Sequence, residues 1–304
     1  MYNGRHRLRW RSVSGLAESE SVVPVDQRYV KMVVPIIGTP GDDPASRSLR
    51  ATGFLVAVTA GSEEHTLQFA YVVTAAHVVR SGHDFAVRVR TADGAGAEQP
   101  IEEWFFHPSE DVAVAPFRYQ SSYDVSIFPK ELFYDRGDIY ASPLLGDFVY
   151  FIGLLSGVDE LERRGALMVR SGTVGALYQD HVPVQIGPQS VVQVTAHLID
   201  CRAYKGFSGS PCFAQFTRWG REKTPRLGLA LPDEFTLLLG VVAGHFDQET
   251  DVRAAAYDDA GKVSVNTGVG IVTPVEHIIE TLDLDELVSM RDAEVKALRE
   301  PHGG

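Results

Sequence analysis

The sequence predicts an all-β chain in two halves, closed by C-terminal helices, and three observations carry that expectation. Short runs rich in Val, Ile, Phe and Tyr recur from residue 30 to residue 272, an irregular stretch interrupts them near mid-chain, and helical spacing appears only after Pro274. β-branched and aromatic residues fit a pleated, half-buried surface, and runs of them bounded by Gly, Asp, Ser and Pro read as strands.

In chain order, about 27 residues at the N-terminus are polar, mixed in charge and without periodicity, so an extended or disordered arm is expected there. Its Arg5, Arg7, Arg9 and Arg11 read as part of a solvated tail. Strand runs follow at Val30 to Ile37, Gly53 to Val58, Leu67 to Thr74, Phe85 to Arg90 and Val112 to Ala115. The segment from Arg118 to Asp147 holds Pro129, Pro143 and several acidic residues, and it reads as a connection between halves. Runs resume at Phe148 to Leu154, Leu167 to Val174, Val191 to Ile199, Pro211 to Phe216, Phe235 to Ala243 and Val269 to Val272. Regular turns between so many short strands indicate barrels or sandwiches. Val275, Ile278, Ile279 and Leu282 then share one helical face, and a mixed-charge helix is expected beyond them, with a helical tail over 281–304.

Length and composition bound the function. A chain of 304 residues, 44% hydrophobic and 22% charged, is built for a packed core, in one large domain or two modest ones. A formal charge of -12 gives no electrostatic reason to bind nucleic acid or anionic lipid. No run approaches the roughly 20 apolar residues that span a bilayer. Glu18, Glu20 and Ser21 occupy the place where an export signal would carry its apolar core. With only Cys201 and Cys212, left unjoined, a reducing, cytoplasmic location is expected.

Three short strings concentrate the chemistry. Gly206 to Pro211 reads GFSGSP, where small residues on both sides of Ser208 let backbone amides approach a reacting carbonyl; a plain turn between strands also fits. Tyr71 to Val79 reads YVVTAAHVV and places His77 at the end of an apolar strand, where a structural histidine is the plainer role. Asp111 opens the buried-looking run DVAV, where it needs a hydrogen-bond partner or simply caps the strand. Together they supply what nucleophilic catalysis by a hydroxyl requires: the nucleophile, a base and an acid to orient the base.

Their order, His then Asp then Ser, and the strings TAAHV, DVAV and GFSGSP resemble the chymotrypsin-like (trypsin-like) serine peptidases, in particular their bacterial-type domains, from about Ala51 to Thr273. The resemblance implies a double six-stranded β-barrel fold in a peptidase domain over 28–280. The first barrel would span about 28–117, the connection about 118–147 and the second barrel about 148–273. It also implies a serine endopeptidase working through His77, Asp111 and Ser208 and an acyl-enzyme intermediate, with the Gly206 and Ser208 amides as the oxyanion hole. The alternative is a catalytically silent binding or scaffold protein on the same fold.

By the same resemblance an extended protein or peptide substrate pairs with Val242, Ala243 and Gly244, and His245 projects toward its side-chain pocket. The position six before the nucleophile, acidic in trypsin, is Arg202, which argues against cleavage after Lys or Arg. Phe207 stands where trypsin-like zymogens carry an activating aspartate, so the oxyanion loop is expected to be organised by packing. His107 and His197 read as structural or surface histidines. No HExxH or CxxC string is present, so no metal and no cofactor are expected; a regulatory protein partner stays open.

Overall fold

The computed structural model describes residues 25–39, 48–62, 65–80, 82–136, 143–154, 166–185, 191–201, 206–217, 234–253 and 260–299. Most of the expected N-terminal arm lies outside them. The described chain opens with a short helix, α1 (Gln27–Lys31), started by Asp26, whose carboxylate accepts from the Arg28 amide at 2.8 Å. This helix takes Val30 and Lys31 from the first strand run, Met32 caps it, and β1 (Val33–Thr39) takes the run from Val33 on.

The first half continues with β2 (Ser48–Ser62), β3 (His65–Thr74), helix α2 (Ala76–Arg80), β4 (His83–Arg90), β5 (Gly96–Pro100), β6 (Phe105–Phe106), β7 (Ala113–Phe117) and β8 (Phe128–Pro129). These strands form one antiparallel sheet in the order β5-β4-β1-β2-β3-β7-β6, and β8 joins parallel to β2. The second half comprises β9 (Phe148–Leu154), β10 (Leu167–Gln185), β11 (Val191–Asp200), β12 (Pro211–Thr217), β13 (Glu234–Arg253) and β14 (Ala260–Pro274). They close as the barrel β10-β11-β14-β13-β12-β9. The architecture is the chymotrypsin-like pair of β-barrels. Its second barrel closes with six strands, whereas the first is, among the described residues, a curved path that ends at the short strands β5 and β6.

Alternation along the strands explains why the first-half runs look continuously apolar. In β2, Phe54, Val56 and Val58 face the core shared by the two halves, while Leu55 faces the interior of the first sheet. Tyr71 and Val73 divide from Val72 in β3 in the same way. A sheet buried on both faces needs apolar residues at both phases of its two-residue period. The shared core continues through Tyr150, Ile152, Phe213, Leu237 and Leu239 of the barrel.

Three strands run well past their sequence signals. The pairing of β10 with β11 shifts register three times between Val174 and Val182, and Tyr178 and His181 hold positive φ angles of 49° and 59°. Each irregularity resets the side-chain alternation, so no period-two pattern announced the strand beyond Val174. β13 and β14 likewise form a longer hairpin than the apolar runs indicated.

The C-terminal helices pack onto the body. Val275, Ile278 and Leu282 of α3 (Val275–Leu282) are fully buried, on the face the spacing predicted. α4 (Asp285–Arg299) buries Leu287, Val295 and Arg291. The Arg291 guanidinium donates to the Tyr71 hydroxyl at 3.1 Å and to the Leu282 carbonyl at 2.8 Å, ending α3 and tying α4 to the first sheet. Among the described residues no helix is long and apolar enough to cross a membrane.

Candidate active site

The string GFSGSP forms the tight turn between β11 and β12. Gly206 and Gly209 take left-handed φ angles of 98° and 82°, which only glycine adopts without strain. Gly209 is doubly constrained, because a Cβ there would lie 2.0 Å from the Thr52 carbonyl oxygen and 2.2 Å from Thr74 Oγ1. The turn is closed by the Ser210 amide donating to the Phe207 carbonyl at 2.9 Å. It is docked on β13 by a reciprocal pair: the Gly209 amide donates to the Val242 carbonyl at 2.8 Å and the Val242 amide to the Ser210 carbonyl at 2.9 Å. The Gly206 and Ser208 amides donate to no other described residue. Phe207, as its lack of charge required, is held by packing: it is 1% exposed, and its ring meets Phe151 edge-on at 5.5 Å.

His77 and Asp111 come together from the first sheet. His77 sits in α2, directly after β3, and Asp111 precedes β7, the strand beside β3. Asp111 Oδ2 lies 2.7 Å from His77 Nδ1, and Asp111 Oδ1 accepts from the His77 backbone amide at 2.8 Å. The aspartate side chain is 3% exposed and the imidazole 16%. A carboxylate can only accept, so Nδ1 carries the proton of the neutral ring and the lone pair is left on Nε2. That tautomer makes Nε2 the basic atom.

The Ser208 hydroxyl points along β13. Its hydrogen bond among the described residues is donated to the Ala243 carbonyl at 3.4 Å, with none to His77. At that length the bond is weak, and rotation about Cα–Cβ frees the hydroxyl at small cost.

Val242, Ala243, Gly244 and His245 lie where β13 changes neighbours. β12 pairs with β13 only up to Val241, and the Ser208 turn takes Val242. On the other side β14 continues, with a register shift between Val242 and Gly244 that leaves Val242 and Ala243 both buried. On the β12 side no strand pairs with Ala243 or Gly244 among the described residues. His245 is half-buried opposite Gly270. Arg202 lies outside the described residues. Cys201 and Cys212 are free, buried thiols; burial pushes Cys201 up to about 11 and raises Cys212 as well.

His107 and His277 meet at one carboxylate, and His197 is buried apart from them. His107 is buried, its Nδ1 accepting from the Ser109 and Glu110 amides at 3.2 and 2.9 Å while Nε2 meets Glu280 Oε2 at 2.9 Å. This shapes the turn that presents Asp111. Glu110 reaches across to accept from the Thr195 amide of β11 at 3.1 Å. His277 Nδ1 meets the same Glu280 oxygen at 2.9 Å, and one donor atom from each of the three residues lies within 4.8 Å of the others. Metal ligation through His107 Nε2 would need the proton on Nδ1, where two amide N–H groups already point; the set therefore fits two N–H donors sharing a carboxylate better than a metal site. His197, fully buried, is pushed down to about 3 by burial first and then by the charges of His277 and Arg136.

Sequence reasoning missed Thr52, which is fully buried beneath the nucleophile turn. Its hydroxyl donates to the Gly206 carbonyl at 2.8 Å and accepts from the Leu154 amide at 2.9 Å, and its amide donates to the Ser208 carbonyl at 3.2 Å. No local signal marks it, because every one of these partners is distant in sequence.

The chain is similar to the solved MamO protease domain from Magnetospirillum magneticum in its apo form, at 18% identity over 83% of this chain and 96% of that one, with a TM-score of 0.48. It is similar to the active form of the Rv3671c protease from M. tuberculosis, at 20% identity over 83% and 79% of the two chains, TM-score 0.43. An inactivated protease paralogue of the scabies mite aligns at 15% identity over 88% and 96%, TM-score 0.47. No curated protein matches the chain. The sequence profile of the trypsin-like peptidase domain matches residues 51–218, more than half of the chain and a span that holds His77, Asp111 and Ser208. The chain therefore belongs to the trypsin-like peptidase domain family.

Proposed function

We propose that this protein is an active serine endopeptidase with His77, Asp111 and Ser208 as its catalytic triad. The observation that supports it most is the double hold of one buried carboxylate on the His77 ring and the His77 amide, which fixes Nε2 as the base. In the proposed reaction Ser208 Oγ adds to the scissile carbonyl carbon as its proton passes to His77 Nε2. The oxyanion is held by the Gly206 and Ser208 amides. His77 then protonates the leaving amine, giving an acyl-enzyme on Ser208, and water reverses the steps.

The substrate is an extended protein or peptide segment that pairs with the open edge of β13 at Ala243 and Gly244. A P1 amide donated to the Ala243 carbonyl would compete with Ser208 for that acceptor and turn the hydroxyl toward His77. The competing reading, a silent binding protein, draws on that resting hydroxyl, which does not meet the histidine. The two separate cleanly in one experiment: fluorophosphonate labelling of the full chain, located by mass and compared with Ser208→Ala, alongside cleavage of an unfolded protein substrate. Labelling at Ser208 with cleavage establishes the enzyme; binding of the substrate with neither establishes the silent reading.

A further inference from the structure

We infer that Thr52 is a positioning residue for the nucleophile, a clasp through which the first sheet holds the Ser208 turn in its reactive shape; the inference deepens the peptidase reading and depends on it for its catalytic meaning. Thr52 stands on β2 just before the strand begins to pair with β3 at Phe54, so its backbone on that side is free to bond elsewhere. All of it is used at the active site. The amide goes to the Ser208 carbonyl at 3.2 Å, and the carbonyl accepts from Thr74 Oγ1 at 2.8 Å, three residues before His77. The hydroxyl links the Gly206 carbonyl at 2.8 Å with the Leu154 amide at the end of β9 at 2.9 Å.

One residue thus joins the histidine strand through its carbonyl, and the Ser208 turn and the second barrel through its hydroxyl. The effect on the turn follows from peptide planarity. The Gly206 and Ser208 carbonyls are held by Thr52 and the Phe207 carbonyl by the Ser210 amide. In a trans peptide the N–H points opposite to the preceding carbonyl, so fixing the Phe207 carbonyl fixes the Ser208 amide. Thr52 pins the peptides on either side of it. A buried hydroxyl needs partners, but an ordinary core threonine satisfies them locally; this one reaches 154 residues to Gly206 and 102 to Leu154.

The test compares Thr52→Val, which keeps the shape and removes both hydroxyl bonds, with Thr52→Ser, which keeps them. Val87→Ala, a cavity in the first-sheet interior away from the turn, serves as a control for general destabilisation. Four quantities are measured on the full chain: the second-order rate of fluorophosphonate labelling at Ser208, kcat and KM on a peptide, hydrogen exchange of a peptide covering residues 206–211, and Tm.

Thr52→Val should label about tenfold or more slowly and lose a similar factor in kcat at near-constant KM, since one misplaced oxyanion donor is worth at least that. Exchange over 206–211 should quicken. Thr52→Ser should stay within about twofold of the unaltered chain, and Val87→Ala should lower Tm without slowing labelling. Normal labelling by Thr52→Val, or equal slowing by Val87→Ala, overturns the inference. If Thr52→Val does not fold, Thr74→Val removes only the bond into the Thr52 carbonyl; slower labelling supports the clasp and unchanged labelling overturns it. An unaltered chain that never labels removes the peptidase reading instead. The exchange comparison still decides the clasp in that case: unchanged exchange in Thr52→Val overturns it.

Discussion

The two halves of the molecule do different jobs with different architectures. The second closes into a six-stranded circuit, with β13 unpaired on its β12 side only beyond Val242 among the described residues, and it carries the proposed nucleophile on a turn docked by strand-like bonds to β13. The first is, among the described residues, an open path with short strands at its ends, and it carries the proposed base and its acid on segments that follow β3 and precede β7. Closure removes edges and fixes register, which suits a turn whose amides must aim at one point. Proton handling needs less: one buried carboxylate with two bonds to one residue orients an imidazole on a short helix. The Ser208 turn is thus held through bonds from two other strands, β13 and β2, while the His77–Asp111 pair is held by its own two hydrogen bonds.

The sharpest way to break this division is to remove its members singly. Ser208→Ala and His77→Ala should each lower kcat by on the order of 10⁶, as groups that act together do, with Tm nearly unchanged. Asp111→Asn should cost about 10⁴ by favouring the wrong tautomer. A turnover assay on purified variants checks all three, and undiminished cleavage by Ser208→Ala would end the proposal.

The core common to both halves should matter next. Phe213 of β12 is fully buried among Tyr29 of α1, Phe128 of β8 and Tyr150 of β9, at ring distances of 5.2, 5.4 and 5.3 Å. Phe213→Ala should cost about 3–5 kcal/mol in denaturant unfolding. Because the ring touches elements of both halves, the loss should appear as one transition; two separate transitions would show that the halves unfold independently.

A pH series sharpens the comparison within the second barrel. His197 is depressed to about 3, so between about pH 3 and its ordinary value near 6.5 the unfolded chain binds a proton that the folded chain refuses. Stability is fully present above about pH 6.5 and falls as pH drops through that window, by up to about 1.4 kcal/mol per pH unit from this group. Unfolding midpoints of the unaltered chain and His197→Gln at several pH values check it: the slope should flatten in the variant.

The smallest effect is expected at the surface of the first sheet. Arg118 and Glu102 approach to 3.4 Å with side chains 81% and 80% exposed. Arg118→Ala should therefore change stability by less than about 0.5 kcal/mol. A larger loss in thermal unfolding would mean the open sheet leans on its surface charges.

How much of this was legible in the sequence depended on distance along the chain. His77, Asp111 and Ser208 each sit in a string whose neighbours are local: a strand before the histidine, a strand after the aspartate, glycines around the serine. Val275, Ile278 and Leu282 were legible because helical spacing is a local property. Thr52 was not, since its role depends on Gly206 and Leu154, and a threonine in ATGF looks like any strand residue. The far part of β10 was hidden by the bulges at Tyr178 and His181, which scramble alternation. The first helical turn at Gln27–Lys31 was hidden by its length, too short for a period to show.

The 154 residues between Thr52 and Gly206 also set a schedule. On a ribosome adding about 5–20 residues per second, roughly 8 to 30 s pass between the emergence of the two partners. Asp111 follows Thr52 by 59 residues, so only in the later part of that interval can the His77–Asp111 pair form, while the carbonyls that Thr52 holds do not yet exist. A growing chain can therefore hold the proposed base before the proposed nucleophile exists. In the proposed mechanism cutting ability arrives later still, after β13 and β14 have followed β12, when the barrel circuit is complete and the Ser208 turn is held between β13 and Thr52 of β2.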